Sequence, residues 1–158
     1  MQTSAHRFLS LSLATGLGTG YLPIAPGTAG TVLGFILFLP VRTAPLVYAI
    51  PAWIALFATG VYVSQLSIHF LGQKDPKSVV IDEIAAIFLV MLLIPASFLW
   101  QAFGFLLFRL FDITKPVGVR EAEYLPGGLG IMADDLVAAL YSIALVWLFY
   151  YISLSISS

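Results

Sequence analysis

The chain has 158 residues, of which 60% are hydrophobic and 9% charged, with no cysteine and a formal net charge of -1; its mean hydropathy is +1.01. Soluble domains average roughly 45–50% apolar and about 25% charged residues, so a soluble globular composition is excluded and the chain falls in the membrane class. Without cysteine there is no disulfide, thiolate nucleophile or zinc-thiolate site, and seven basic residues against eight acidic ones give no basic surface for nucleic acid.

In chain order, the start HRFLSLSLATG has the basic residue and short apolar run of a signal peptide. No clear A-x-A cleavage site follows, so the segment is expected to be retained. The next stretch, TGLGTGYLPIAPGTAGTVLG, is too rich in glycine and proline to be helical from its beginning. A helix is predicted after Pro26-Gly27, with Thr28 as N-cap and Gly30 and Gly34 as a small-residue packing face, running to about Leu39. Pro40, Arg42 and Pro45 mark a turn before a second segment, 46–71.

The uncharged stretches 43–73 and 136–158 are each long enough to cross a hydrocarbon core of about 30 Å, which needs about 20 apolar residues. A third stretch, 84–108, is interrupted by Pro95, which predicts two short helices, 84–94 and 97–110. One straight helix from Asp82 to Asp112 would rise about 45 Å and set its charged ends on opposite membrane faces. A break at Pro95 permits a re-entrant hairpin that dips into the bilayer and brings Asp82 and Glu83 back to the side of Arg109 and Asp112. Six of the seven basic residues then share one side, with Arg42 alone opposite, and the positive-inside bias places that side in the cytoplasm. The expected fold is a single domain over 1–158: an all-α integral membrane protein, a small bundle of spanning helices with a re-entrant hairpin and glycine-rich cytoplasmic loops.

An apolar chain that confines its charges to short segments marks its functional site with them. In KDPKSVVIDEIAAIF, Asp82 and Glu83 open a helix, where they either complement the helix dipole or ligate a metal. Lys74 and Lys77 are positioned to face anionic headgroups. In FRLFDITKP, Arg109, Asp112 and Lys115 recur at intervals of three, on one helical face. A surface ion pair contributes only about 0.3–0.5 kcal/mol, so this trio makes better sense as groups that bind phosphate and a cation. In YLPGGLGIMADDLVAAL, a loop containing Gly127, Gly128 and Gly130 leads to a helix opening at Asp134 and Asp135. Its amides suit an oxyanion and its carboxylates a divalent ion.

Brought together, Asp82, Glu83, Asp112, Asp134 and Asp135 need protons or a metal, because two carboxylates about 4 Å apart repel by roughly 4 kcal/mol at an effective dielectric of 20. All-oxygen ligands beside phosphate favour Mg2+. The glycines at 16, 18 and 20 lack the preceding strand of a dinucleotide loop, no Walker lysine is present, and no serine has an elbow sequence. His69 reads as an interfacial or packed histidine.

The blocks GTGYLPIAPGTAGTVLG, SVVIDEIAAIF and FRLFDITKPVGVREAEYLPGGLGIMADDLVAALYS, in this order, resemble the signature blocks of the phosphatidylglycerophosphatase A family over about residues 12–142. The resemblance implies a bacterial inner-membrane, Mg2+-dependent phosphatase that removes the terminal phosphate of phosphatidylglycerophosphate. It carries over Thr28, Asp82, Glu83, Arg109, Asp112, Lys115, Gly127, Gly128, Asp134 and Asp135. Two departures are the run Val117-Gly118-Val119 after Lys115-Pro116, where the family often continues KPxPI, and Ala139, where many members have glycine.

Expected roles follow. Asp82, Asp112, Asp134 and Asp135 would supply the metal ligands and Glu83 would act as base to an attacking water, with an aspartyl-phosphate intermediate on Asp112 or Asp134 as the alternative route. Arg109, Lys115, the Gly127 and Gly128 amides and Thr28 would bind the phosphoryl oxygens of the phospholipid substrate. A phosphatase of another lipid or isoprenoid phosphate would keep the same site. A non-enzymatic membrane protein would instead need its acids to line a path across the bilayer.

Overall fold

A computed structural model of the protein describes residues 4–157, and within them the secondary structure is helical throughout. The helices are α1 (Ser4–Ala14), α2 (Pro26–Phe38), α3 (Leu46–Leu71), α4 (Ile81–Leu93), α5 (Phe98–Thr114), α6 (Val119–Ala122) and α7 (Gly128–Ser157). Short 3-10 turns lie at Thr19–Tyr21 and Leu39–Val41.

The predicted segment 46–71 is α3, and the predicted break at Pro95 separates α4 from α5. Ile94, constrained by the following proline, is extended, and the Ser97 hydroxyl accepts from the Trp100 amide as α5 begins. The helix end strands carbonyls, and one of them, Leu93 O, accepts from the Trp147 indole at 2.9 Å.

The start of α2 differs from the expectation. Pro26 is at the head of the helix, the cap position falls on Ala25 in a left-handed conformation (φ 49°), and Thr28 lies inside the first turn. Proline suits this place because the first helical residue needs no N–H partner and its φ is already helical. Gly30 and Gly34 do form a close packing face: they are buried against α4, with Gly30 on Val80 and Gly34 on the Ile84 backbone.

Helix α4 is the centre of the bundle. Residues on nearly every side of it are buried, from Ile81 and Ile84 through Ile87 and Val90 to Met91, and α2, α3, α5 and α7 pack around it. An all-round apolar helix has this burial as its natural solution. The Trp53 indole donates to Ala85 O at 2.8 Å and fastens α3 to it.

Among the described residues two helices are long and apolar enough to cross a membrane: α3, of 26 residues, and α7 over Gly128–Ile156, of 29 residues. At 1.5 Å per residue each rises about 40 Å, more than a hydrocarbon core of about 30 Å. Less than a quarter of the most apolar part of each is buried within the protein. Leu46, Val47 and Ile54 of α3 and Leu148, Phe149 and Ile152 of α7 face outward, which the core helix of a soluble protein does not do.

The charged segments collect at one end. Arg7 of α1 lies over the Phe70 ring at 5.7 Å, in the last turn of α3, whereas Arg42 follows the far end of α2, about 20 Å along that helix from Pro26.

Candidate active site

At the charged end lies a cavity of about 770 Å3, open to the surface. Eleven of the fifteen charged side chains line it; the exceptions are Arg7, Arg42, Arg120 and Glu121. The chain therefore spends its charge on this one place.

Three turns of sequence build it. Asp82 and Glu83 lie in the first turn of α4, where the helix dipole favours acids. Arg109 and Asp112 share a face of α5, which ends at Lys115 in a left-handed conformation (φ 43°) because Pro116 disfavours further helix. A non-glycine residue held in this region stores about 1–3 kcal/mol of strain, and the strain here falls on a residue of the cavity wall.

The third part corrects the sequence reading. Helix α7 begins at Gly128 rather than at Asp134, so Gly128 and Gly130 are helical and only Gly127, at φ 61°, remains of the expected glycine loop. The Gly128 amide, expected to face an oxyanion, donates instead to Gln65 Oε1 of α3 at 2.9 Å. The glycines serve packing here. A Cβ on Gly128 would meet Val61 O and lie 2.6 Å from Gln65 N, so glycine lets α7 cross the α3 backbone closely.

The acids converge as expected. Asp82, Glu83 and Asp135 each place a carboxylate oxygen within 4.8 Å of the others. Asp82 Oδ1, Glu83 Oε2, Asp134 Oδ1 and Asp135 Oδ2 are buried without hydrogen-bond partners. Burial, and for Asp82 the neighbouring Glu83 charge, pushes the Asp82 and Glu83 carboxyls above their ordinary values. The tight group is thus drawn differently from the expected metal set: Glu83 belongs to it, while Asp112 and Asp134 are engaged with cations.

Arg109 Nη1 lies 2.6 Å from Asp112 Oδ2 and 3.9 Å from Glu83 Oε1. It also donates to Thr31 Oγ1 at 3.1 Å, and Thr31 in turn donates to Gly27 O at 2.8 Å. The Lys115 ammonium bonds Asp134 Oδ2 at 2.7 Å and also Glu123. Burial alone would lower its pKa, but the hydrogen bonds it donates to Asp134 and Glu123 outweigh that and raise it, so Lys115 stays charged. Thr31, Gln65 and Glu123 were not among the residues singled out from sequence, since only their contacts with Arg109, Gly128 and Lys115 mark them. Thr28 does not line this cavity; it lies on an adjoining apolar groove.

Within the cavity four basic residues (Lys74, Lys77, Arg109, Lys115) face seven acidic ones (Asp75, Asp82, Glu83, Asp112, Glu123, Asp134, Asp135), a formal balance of -3. An anionic phosphate is repelled by such a site unless a cation joins it. Orphaned, buried carboxylate oxygens with no nitrogen or sulfur donor among them fit a hard divalent ion.

Residues 12–150 match the family Phosphatidylglycerophosphatase A. The chain belongs to this family. It is 40% identical to the Phosphatidylglycerophosphatase A of Haemophilus influenzae, covering 88% of this chain and 87% of that one. It is 33% identical to the Phosphatidylglycerophosphatase A of Escherichia coli K12, covering 85% and 80%. A protein of Bacteroides thetaiotaomicron named putative phosphatidylinositol-3-phosphatase is 38% identical, covering 88% and 92%. No solved structure matches the chain.

Membership of the phosphatidylglycerophosphatase A family makes the protein a lipid phosphatase, and the charged cavity is the place in the fold with groups for that work. Arg109 is the cation with the most partners there. Arg109→Lys is expected to lower kcat/KM about tenfold or more, because Asp112, Glu83 and Thr31 all meet Nη1 and leave the other N–H groups of the planar guanidinium for a ligand, a division of work that one ammonium does not reproduce. Phosphate-release kinetics equal to wild type would leave Arg109 only its contacts with Asp112, Glu83 and Thr31.

Proposed function

We propose that the protein hydrolyses the terminal phosphate monoester of phosphatidylglycerophosphate, giving phosphatidylglycerol and inorganic phosphate, at the cytoplasmic face of a bacterial inner membrane. The observation that carries this reading is the cavity with its unpartnered carboxylate oxygens, at the charged end of a bundle whose two long helices turn apolar faces outward. The lipid tails stay with those apolar faces while the headgroup enters the cavity. The return of α5, which sets Arg109 beside Glu83, supports the hairpin expected of 84–110, and the gathering of the basic residues at this end, with Arg42 alone opposite, supports its cytoplasmic placement.

Asp82 and Asp135, with Glu83 beside them, would hold Mg2+. When bound, the ion would neutralise charge developing on the phosphoryl group and favour attack by water. Lys74 and Lys77, exposed at the rim and without an ion pair among the described residues, draw in the anionic headgroup. Arg109 and Lys115, held by their carboxylates, present fixed positive charge to the phosphoryl oxygens. Glu83 takes a proton from the attacking water. The water oxygen joins phosphorus, the bond from phosphorus to the glycerol oxygen breaks, and the proton ends on that oxygen.

The deciding experiment is phosphate release from phosphatidylglycerophosphate by the detergent-purified protein, with Mg2+ and with excess EDTA. Release that requires Mg2+ is the expected result. Release under both conditions would remove the metal from the proposal. One observation favours a second substrate, the 38% identity to a relative named for phosphatidylinositol 3-phosphate hydrolysis. Faster release from that lipid than from phosphatidylglycerophosphate would move the assignment to it with the same residues.

A further inference from the structure

A second, shallower depression of about 390 Å3 runs along the outer face of α2. It is lined by Ala25, Thr28, Ala29, Val32, Leu33 and Ile36, with Thr19 and Ile24 at its head. These α2 positions follow one another at three- and four-residue steps, so they form a single stripe. The opposite face of the helix, Gly30, Thr31, Gly34 and Phe38, is buried against α4. The stripe is trough-like because Ala25, Thr28 and Ala29 are small, while Val32 and Ile36 stay well exposed further along.

What distinguishes this face from the rest of the apolar surface is where it starts. Ala25 lines both the groove and the charged cavity, and Pro26 and Gly27, which follow it, line the cavity. From Ala25 to Ile36 the helix rises about 16 Å, which matches one leaflet, half of a hydrocarbon core of about 30 Å. Thr28 lies at the transition between charged and apolar walls. Unlike Thr31, whose hydroxyl donates to Gly27 O, its hydroxyl makes no hydrogen bond among the described residues.

We infer that the α2 groove seats one fatty acyl chain of the phosphorylated glycerolipid whose headgroup occupies the charged cavity, with the Thr28 hydroxyl beside the glycerol ester. This rests on the reading of the cavity as a lipid phosphatase site, and it names the part of the substrate that reaches beyond it. It also accounts for Thr28, which the sequence reading assigned to phosphate and the fold sets beside the cavity instead. A leaflet-length apolar trough continuous with a polar cavity of about 770 Å3, roomy enough for a phosphorylated headgroup, has the shape of a lipid, whereas a partner helix would leave the polar end unmatched.

Two experiments test it. The first compares Ala29→Trp and Val32→Trp with Leu154→Trp, a control on the outer face of α7, using dioleoyl and dihexanoyl forms of phosphatidylglycerophosphate in mixed micelles. Filling the groove is expected to raise KM for the dioleoyl lipid about tenfold with kcat within about twofold, and to affect the dihexanoyl lipid far less. The control should match wild type. An effect equal on both lipids, or equal in the control, would overturn the inference.

The second uses the unmodified protein and a phosphatidylglycerophosphate carrying a diazirine on one acyl chain. Crosslinks are expected at 28–36, and to be competed by unlabelled phosphatidylglycerophosphate but not by phosphatidylcholine. Crosslinks spread over the outer faces of α3, α5 and α7, without competition, would exclude the groove. If the unmodified protein turns over substrate but crosslinks elsewhere, only the groove fails. If it releases no phosphate from either lipid, the phosphatase reading fails and crosslinking alone decides the groove.

Discussion

Asp135→Asn and Asp82→Asn are each expected to lower phosphate release by about a hundredfold or more, the scale on which single electrostatic partners of a transition state count. Both residues belong to the group whose carboxylate oxygens approach within 4.8 Å and leave buried oxygens unpartnered. The informative part is what happens to stability. Each asparagine is nearly isosteric, removes one member of a repelling set and brings an amide N–H that neighbouring carboxylates accept. Without divalent ion, the melting temperature should therefore stay constant or rise, since two carboxylates about 4 Å apart repel by roughly 4 kcal/mol at an effective dielectric of 20.

With Mg2+, the wild type should gain thermal stability and the asparagine variants should gain less, because an ion that binds only the folded state stabilises it by mass action. Activity lost together with a large fall in melting temperature would mean that the acids hold the fold. Wild-type turnover in both variants would remove the three-carboxylate group from the mechanism.

Gly34→Val is expected to destabilise the bundle, whereas Gly27→Ala should reduce activity with a smaller effect on stability. The two glycines lie on one side of α2 but meet different neighbours. At Gly34 an added Cβ would lie 2.5 Å from Ile87 Cγ2 and 2.8 Å from the Ile84 Cα and carbonyl oxygen, and backbone in the central helix has little room to withdraw. Overpacking of this kind typically costs about 1–3 kcal/mol, and each kcal/mol lowers the melting temperature of a chain this size by roughly 2–4 °C.

At Gly27 the added atom would strike the Glu83 carboxylate and lie 3.2 Å from Arg109 Nη2, both of them ends of flexible side chains. The helices can stay in place while Glu83 and Arg109 shift. Thermal melts and phosphate release measured on both variants check the contrast. Equal loss of stability in the two would mean that α2 packs on α4 more loosely at Gly34 than its Ile84 contacts imply.

Several features of this protein were legible in its sequence because they depend on short-range physics. Pro95 pushes Ile94 into an extended conformation and ends the helix there, so α4 and α5 were separable, and the uncharged run after Pro45 named α3 to the residue even though α3 carries Pro51 within it. Gly30 and Gly34, one helical turn apart, announced a close helix contact that exists. The confinement of charge to a few segments placed Asp82, Glu83, Arg109, Asp112, Lys115, Asp134 and Asp135 in one site before any fold was known, since an apolar bundle has few other places for them.

Pairing was decided only by the tertiary structure, because it depends on which side chains from distant segments come within a few ångströms. Asp112 and Asp134 were indistinguishable from Asp82 and Asp135 in sequence, yet the first two meet Arg109 and Lys115 while the others join Glu83. Gly128 looked like loop and is helix, because the α3 backbone lies against it and rewards a missing side chain more than local propensity penalises it. Thr28 looked like a cap and phosphate ligand, and the proline that starts α2 two residues earlier turns it onto the apolar groove. Residue type and spacing determine which chemistry a chain like this is able to carry; the packing of α2, α5 and α7 around α4 decides which atoms are left unpartnered to perform it.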